Sequence, residues 1–276
     1  MIGESPSPSV PHRAGRPRGL WLILGAAVVA GSAFHPPRIH QAPPNQLTAL
    51  ERTAGWRLLF DGRSFRGWRG LGYDSVPTAH WAIANGGGAG GAIRKIPSGS
   101  VPKLPDGQPL TGGDLMTVDS FADFELAFEW KVTPGANSGV KYNVSEAFSL
   151  ANAANHAALG FEYQILDDSL SDDNQLVTHR AAALYDLIAP AAGKRLRPVG
   201  EWNASRIVFR GKHGEHWLNG ARVVEFELGT PRMDSLLARS KYRSIAGFAD
   251  RRRGHIVLQD HGDEVWYRSL KVREGP

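Results

Sequence analysis

A chain of 276 residues with 42% hydrophobic and 21% charged side chains has enough apolar material for one large globular domain. With no cysteine it excludes disulfides, thiolate chemistry, cysteine-ligated zinc and a lipidated-cysteine anchor. The net charge of +5 is no nucleic-acid signature, because Arg13, Arg16, Arg18 and Arg38 face only Glu4 in the first 40 residues and the remainder carries no dense basic face. The triplet Arg251, Arg252 and Arg253 is too short to change this and reads as a solvated loop.

The N-terminal 19 residues are rich in Pro, Ser and Arg, and residues 20–34 (LWLILGAAVVAGSAF) are an unbroken apolar and small-residue run. A basic flank, a short apolar stretch and small residues near Gly31, Ser32 and Ala33 have the layout of a secretory signal. The run is shorter than the roughly 20 residues a membrane span needs. The expectation is an exported protein, periplasmic, cell-surface or secreted; a membrane enters only through the alternative that the segment stays uncleaved as an anchor. Residues 35–46 are Pro-rich and read as a linker. Residues 1–46 are therefore expected to be signal or anchor plus linker, disordered or removed, with one β-sandwich domain over 47–276.

From about Gly55 the hydrophobic period becomes two. Residues 123–132 (DFELAFEWKV) put Phe124, Leu126, Phe128, Trp130 and Val132 on one side and Glu125, Ala127, Glu129 and Lys131 on the other. Further short strands are predicted over 139–144, 160–166, 205–210, 215–218, 222–228, 255–259 and 264–272, with Ile207 and Phe209 joining the core. Asn219-Gly220 is the signal of a tight hairpin turn. Residues 86–113, with GGGAGG and four prolines, read as a long loop or a lid over one sheet. Residues 234–238 are the best helical candidate. The Ala-rich stretch 147–159 is left as a surface loop or a short helix. Many short strands with turn signals predict an all-β fold, an antiparallel two-sheet jelly-roll sandwich.

Polar side chains on strands are the candidates for chemistry, since a curved sheet face open to solvent is a groove. Glu162 and Gln164 project opposite to Phe161, Tyr163 and Ile165. His255, Val257, Gln259 and His261 share a side, Lys141 and Asn143 share another, and Glu129 opposes an apolar row. His179 precedes the apolar run 181–184. Carboxylates, amides and imidazoles so placed hydrogen-bond sugar hydroxyls or move protons; the bland alternative is that alternating strands expose polar residues anyway. Glu162, His179 and His261 are taken as the catalytic candidates, with Glu129, Lys141, Gln164 and Gln259 as substrate-binding residues. The acidic stretch 167–174 is either a calcium loop or a solvated one. Eight Trp also suit a sugar-handling protein, because an indole face packs on the C–H side of a pyranose. No HExxH, Gly-x-Ser-x-Gly or P-loop motif is present.

Six strings, GWRLLFDGRSFRGW, DFELAFEWKVTPGANSGVKYNV, GFEYQILDD, ALYDLIAP, GEWNASRIVFRGKHGEHWLNG and GHIVLQDHGDEVWYRSLKVRE, occur in this order over residues 55–274. Together they resemble the 3-keto-disaccharide hydrolase domain family. The resemblance implies a concanavalin A-like jelly roll and a substrate sugar oxidised at C3. A C3 ketone acidifies the C2 proton, so a base can remove it, the C1 substituent can leave, and water can add to the enone. Such a site needs a base, an acid for the leaving oxygen, and a cation near the ketone. A divalent cation held by Glu and His would serve, though no cofactor is demanded by the sequence. Two functions follow: an exported hydrolase or lyase cleaving a (3-keto-)glycosidic linkage, or a non-catalytic lectin-like module on the same sandwich. Carbohydrate is the partner in both.

Overall fold

The computed structural model describes residues 42–85, 90–99, 113–153 and 157–275. The expected signal run, most of the expected linker and much of the Gly- and Pro-rich stretch lie outside them. Two antiparallel sheets face each other. The larger has the order β11-β10-β9-β6-β13-β4-β3, with β1 (Arg57–Leu58) pairing β13 as well; the smaller has the order β2-β5-β12-β7-β8. In the larger sheet β3 is Trp81–Asn85, β4 Gly91–Lys95, β6 Phe124–Val132, β9 Asn203–Arg210, β10 His213–Leu218, β11 Ala221–Glu227 and β13 Val265–Glu274. In the smaller, β2 is Trp68–Gly70, β5 Leu115–Phe121, β7 Asn137–Val144, β8 Phe161–Leu166 and β12 Gly254–Leu258. Among the described residues three short α-helices, α1 (Ala49–Thr53), α2 (Glu146–Asn152) and α3 (Pro231–Arg239), decorate the body. The all-β sandwich expected from the period-two pattern is what the chain adopts.

The core lies between the sheets. Phe124, Leu126, Phe128, Trp130, Ile207 and Phe209 are all buried, as their alternation predicts. Phe124 packs on Tyr142 and Phe209 with ring centroids 6.1 and 6.3 Å apart, so β6, β7 and β9 are joined by aromatic contacts across the sandwich. Asn219 and Gly220 both hold positive φ (46° and 89°), the backbone of the tight hairpin turn between β10 and β11.

Two readings need correction, and one left open is decided. The stretch 86–113 is not all loop: β4 runs through it against β3, with Ile93 fully buried. Glycine hides the strand, and Gly91 is required there because a Cβ would lie 2.4 Å from the Gly62 carbonyl. The Ala-rich stretch resolves in part into α2, started by the Ser145 hydroxyl accepting from the Phe148 N–H. The folded body also begins ahead of residue 47. Asn45 is buried, donates to the Gly91 carbonyl at 2.8 Å and accepts from the Ser269 N–H at 2.8 Å.

His216 on β10 is buried between the two sheets. Its Nε2 accepts from the Tyr142 hydroxyl at 3.0 Å and its Nδ1 donates to the Ala182 carbonyl at 3.2 Å, so the neutral ring satisfies both neighbours. Burial pushes its pKa from 6.5 down to about 4. The unfolded chain takes up this proton first as the pH falls, so the contribution is full at neutral pH and is lost through the window from about 6.5 to 4. The loss is about 1.4 kcal/mol per pH unit inside that window. Urea denaturation at pH 7, 6 and 5 is expected to show this slope in the native sequence, and a His216→Gln protein, weaker overall, is expected to lose it. Equal slopes would assign the acid sensitivity to another group.

Candidate functional site

Strand pairing builds the site on the face of the smaller sheet that points away from the core. Antiparallel partners share a face, and here Lys141 pairs with Glu162 on one side and Val257 on the other. One row along, Gly139 pairs with Gln164, and its carbonyl accepts from the Gln259 N–H at 2.9 Å. Tyr142, Tyr163 and Ile165 fill the core from the same two strands, which leaves Lys141, Glu162 and Gln164 on the opposite side.

Glu162 is 3% exposed, and a Cβ built on Gly139 would lie 2.1 Å from its Oε1. The missing side chain at 139 is therefore the seat of the carboxylate. Among the described residues no cation comes within ion-pair distance of it. Burial raises its pKa above the ordinary carboxylate range, against the pull of Lys141 and Lys241. One end of the Gln164 amide lies 3.2 Å from Glu162 Oε1 and 3.0 Å from the Ser138 carbonyl oxygen. Lys141 donates to the Ala158 carbonyl at 3.1 Å and stands 4.0 Å from Asp114 Oδ2. Asp114 in turn accepts from the N–H groups of Ala158 and Asp260, both at 2.8 Å, while burial raises its pKa. Asp260 is buried as well and binds Lys95 Nζ at 2.8 Å and His80 Nδ1 at 2.5 Å.

A wall rises along the free edge of β8. Residues 182, 183 and 185 bond to it as an irregular extra strand: Ala182 N–H to the Gln164 carbonyl at 2.8 Å, Gln164 N–H to the Ala183 carbonyl at 3.2 Å, and Tyr185 N–H to the Glu162 carbonyl at 3.0 Å. Tyr185 thereby stands beside Glu162 and donates its hydroxyl to Asp173 Oδ2 at 2.9 Å. His179 stacks on the Tyr185 ring at 4.3 Å and lies between Asp173 (2.6 Å from Nδ1) and Asp186 (3.1 Å from Nε2). Burial works against its charge, but the hydrogen bonds to both carboxylates outweigh it and its pKa is raised. Asp186 also accepts the Lys241 N–H at 2.6 Å, which ties the turn after α3 to this wall.

The sequence candidates thus separate. Glu162, Lys141, Gln164 and Gln259 share one face, and His179 stands in the wall above it. Half-buried His261 joins through Asn137, whose Nδ2 lies 3.5 Å from its Nε2 and donates to Asp173 at 3.3 Å. Glu129 does not join: it lies on the outer side of the larger sheet, bound by Arg268 at 2.8 Å and Ser269 at 3.0 Å. Alternation shows that a residue leaves the core but not which sheet carries it. Asp114, Asn137, Asp173, Tyr185, Asp186 and Lys241 were missed as site residues. Most come from loops, where no period marks direction; only the ALYDLIAP string drew notice to Tyr185 and Asp186.

Among the described residues the groove presents no set of three His, Asp or Glu ligand atoms spaced for a cation. Among the described residues, the His, Asp and Glu groups spaced for a metal are His213, Glu215 and Glu225 on the larger sheet, and Arg222 already bridges the two glutamates at 3.0 and 2.7 Å. The acidic stretch spends much of its charge on the chain itself: Asp167 accepts from Gly135 and Ser169 N–H, and Asp168 from Ala181 N–H and Lys194.

Comparison with known proteins gives concordant matches. The family model of the 3-keto-alpha-glucoside-1,2-lyase-like domain matches residues 55–273. A 3-keto-disaccharide hydrolase of Bacteroides thetaiotaomicron is 35% identical over 246 residues, covering 79% of this chain and 78% of that protein. A crystal structure from Parabacteroides distasonis, of a protein provisionally assigned as a glycosyl hydrolase, superposes with a TM-score of 0.71 at 25% identity, covering 84% of this chain and all of that one. A second structure from that organism, with the same provisional assignment, gives a TM-score of 0.58 at 23% identity and covers 80% and 99%, which shows the shared fold.

The seat of Glu162 is open to a direct test. Gly139→Ala is expected to destabilise the protein by about 1–3 kcal/mol through overpacking. Adding Glu162→Ala to it is expected to recover much of that loss, because the second change removes the atoms the new methyl strikes. A double variant no more stable than the additive sum, measured by urea denaturation, would show that the collision is relieved elsewhere.

Proposed function

Because this chain belongs to the family of 3-keto-alpha-glucoside-1,2-lyase-like domains, we propose that it is a carbohydrate-cleaving enzyme that breaks the glycosidic bond of sugars oxidised at C3, with Glu162 as its base. The observation that carries the reading is the buried Glu162 carboxylate, raised in pKa, with no ion-pair partner among the described residues and set beside Lys141. A lectin-like module would need hydrogen bonds and stacking but no carboxylate held in this state, so the arrangement favours the enzyme over the binding module.

The proposed chemistry follows from the ketone. The carboxylate of Glu162 takes the proton from C2, and the electron pair moves into a C2–C3 double bond as the ketone oxygen becomes an enolate. The enolate returns its electrons, the C1–O bond breaks, and the leaving oxygen receives a proton. Water then adds to the C1–C2 double bond, and the net change is hydrolysis. His261 is the proposed proton donor to the leaving oxygen. His179, with both nitrogens engaged by Asp173 and Asp186, is better suited to holding those carboxylates, and through them Tyr185 and Lys241, than to shuttling a proton. Gln164 and Gln259 are the proposed partners of sugar hydroxyls; Gln259 Oε1 is buried with no hydrogen-bond partner among the described residues, an acceptor available to a ligand. The N-terminal apolar run supports export before the enzyme acts.

Glu162→Gln keeps the shape and removes the base, and is expected to lower kcat/KM on a 3-keto-glycoside by about 10²–10⁴-fold. Since the base must be ionised, kcat/KM of the native enzyme should fall as pH drops through a limb lying above the ordinary carboxylate range. Full turnover by a folded Glu162→Gln protein would refute the assignment.

A further inference from the structure

We propose that Lys241 is a catalytic cation of this site, its ammonium binding the ketone oxygen of the oxidised sugar and stabilising the enolate. The inference rests on the preceding reading and adds to it the group that selects a ketone over an ordinary C3 hydroxyl.

The first support is placement. Lys241 begins the turn that follows α3. Its backbone N–H is fixed by Asp186 at 2.6 Å, and the Ser240 hydroxyl accepts from the Tyr242 N–H at 3.1 Å. Tyr242 anchors the turn in the core by stacking on Phe248, with ring centroids 3.9 Å apart. The side chain then lies over Tyr185, Nζ 4.0 Å from the ring centroid, and close enough to Glu162 for each charge to act on the other.

The second support is that this ammonium is uncommitted. Lys95, Lys141 and Lys194 each have a carboxylate within 4.0 Å, namely Asp260, Asp114 and Asp168. Among the described residues none stands that near Lys241 Nζ. An ammonium held only against a π face keeps its N–H donors for a ligand. A ketone oxygen only accepts hydrogen bonds, and an ammonium only donates them. When the C2–H bond breaks and its proton passes to Glu162, the electron pair ends on the former ketone oxygen, and a fixed positive group at that oxygen stabilises the transition state more than the ground state. Lys241 stays protonated throughout and forms no covalent bond.

The surroundings also set its titration. Facing it are Glu162 on β8, Lys141 on β7, Asp173, Tyr185 and Asp186 in the wall, and Tyr242 beside it. Burial, aided by Lys141, lowers its pKa although the carboxylates oppose this and much of the residue is exposed. The active form is the protonated one, so activity should fall as pH rises through a limb below the ordinary lysine range.

The test uses the full chain with a 4-nitrophenyl 3-keto-glucoside. Lys241→Met is expected to lower kcat by about 10²–10³-fold with KM little changed, the effect of removing one oxyanion donor. Lys241→Arg, permanently charged, is expected to recover part of the rate and to lose the alkaline limb. The limb test keeps the proposal falsifiable if the Met variant does not fold. A folded Lys241→Met protein within twofold of the native rate, or an Arg variant with the limb intact, would overturn it. So would a borohydride-trapped sugar adduct on Lys241, which would make the group a nucleophile. If the native enzyme turns over the substrate, Glu162→Gln is inactive and Lys241→Met is unaffected, only the Lys241 assignment falls. If the native enzyme cleaves no 3-keto-glycoside, the preceding reading falls and takes this one with it.

Discussion

The burial of Glu162 over a glycine is the constraint on which the rest of this site depends. A carboxylate taken out of water loses solvation worth several kcal/mol, and it stays ionisable only where nearby positive charge offsets part of that loss. Lys141 offsets it from the neighbouring strand, held by the Ala158 carbonyl and by Asp114 rather than by Glu162 itself. Direct pairing would have pulled the carboxyl down into the ordinary range or below it, as Arg69 does to Glu146, whose pKa falls to about 2. The distance between Lys141 and its own partners therefore matters as much as its proximity to Glu162.

The same strand pair carries both core side chains and the candidate site. On β7 and β8, odd and even positions divide the work: Tyr142, Phe161, Tyr163 and Ile165 are packed between the sheets, and Lys141, Glu162 and Gln164 lie behind them. The aromatic packing fixes the strands, and the strands fix the charges that project from their other side. The wall reaches its place by a different device. Residues 182–185 bond to β8 through their backbones, and His179 joins Asp173 to Asp186, which in turn holds the turn bearing Lys241. A histidine between two carboxylates is thus a cross-link between segments that no strand register connects.

How much of this the sequence disclosed follows from where each residue sits. The strands were legible because side-chain direction in a strand has period two, and the buried row from Phe124 to Val132 is where that pattern puts it. Glu162, Gln164 and Lys141 were legible for the same reason. Glu129 satisfies the rule equally well and lies on the other sheet, because alternation gives the face of a strand but not its sheet. β4 escaped notice since its Gly91 serves close backbone approach, which composition cannot distinguish from a flexible loop. Tyr185, Asp186 and Lys241 were not legible as a unit: Lys241 is 55 positions from Asp186, and only the folded wall joins them.

The two lysines near Glu162 differ in a way that gives the groove a direction. Lys141 is rooted in the sheet, 4% exposed, its ammonium bound to a carbonyl and near a carboxylate. Lys241 arrives from outside the sheet, on a turn anchored by a core tyrosine, and its ammonium lies over the Tyr185 and Tyr242 rings. A charge already bound to protein donors and acceptors tunes its neighbours, because moving it would cost those bonds. An uncommitted charge is free to meet a charge that appears during reaction, which is the condition for differential stabilisation. Sheet and wall then hold complementary parts of the proposed reaction: the sheet carries the proposed base, and the wall positions the cation proposed to meet the electrons the proton leaves behind. Holding them on different elements lets burial raise the pKa of the carboxyl and lower that of the ammonium without the two collapsing into an inert ion pair.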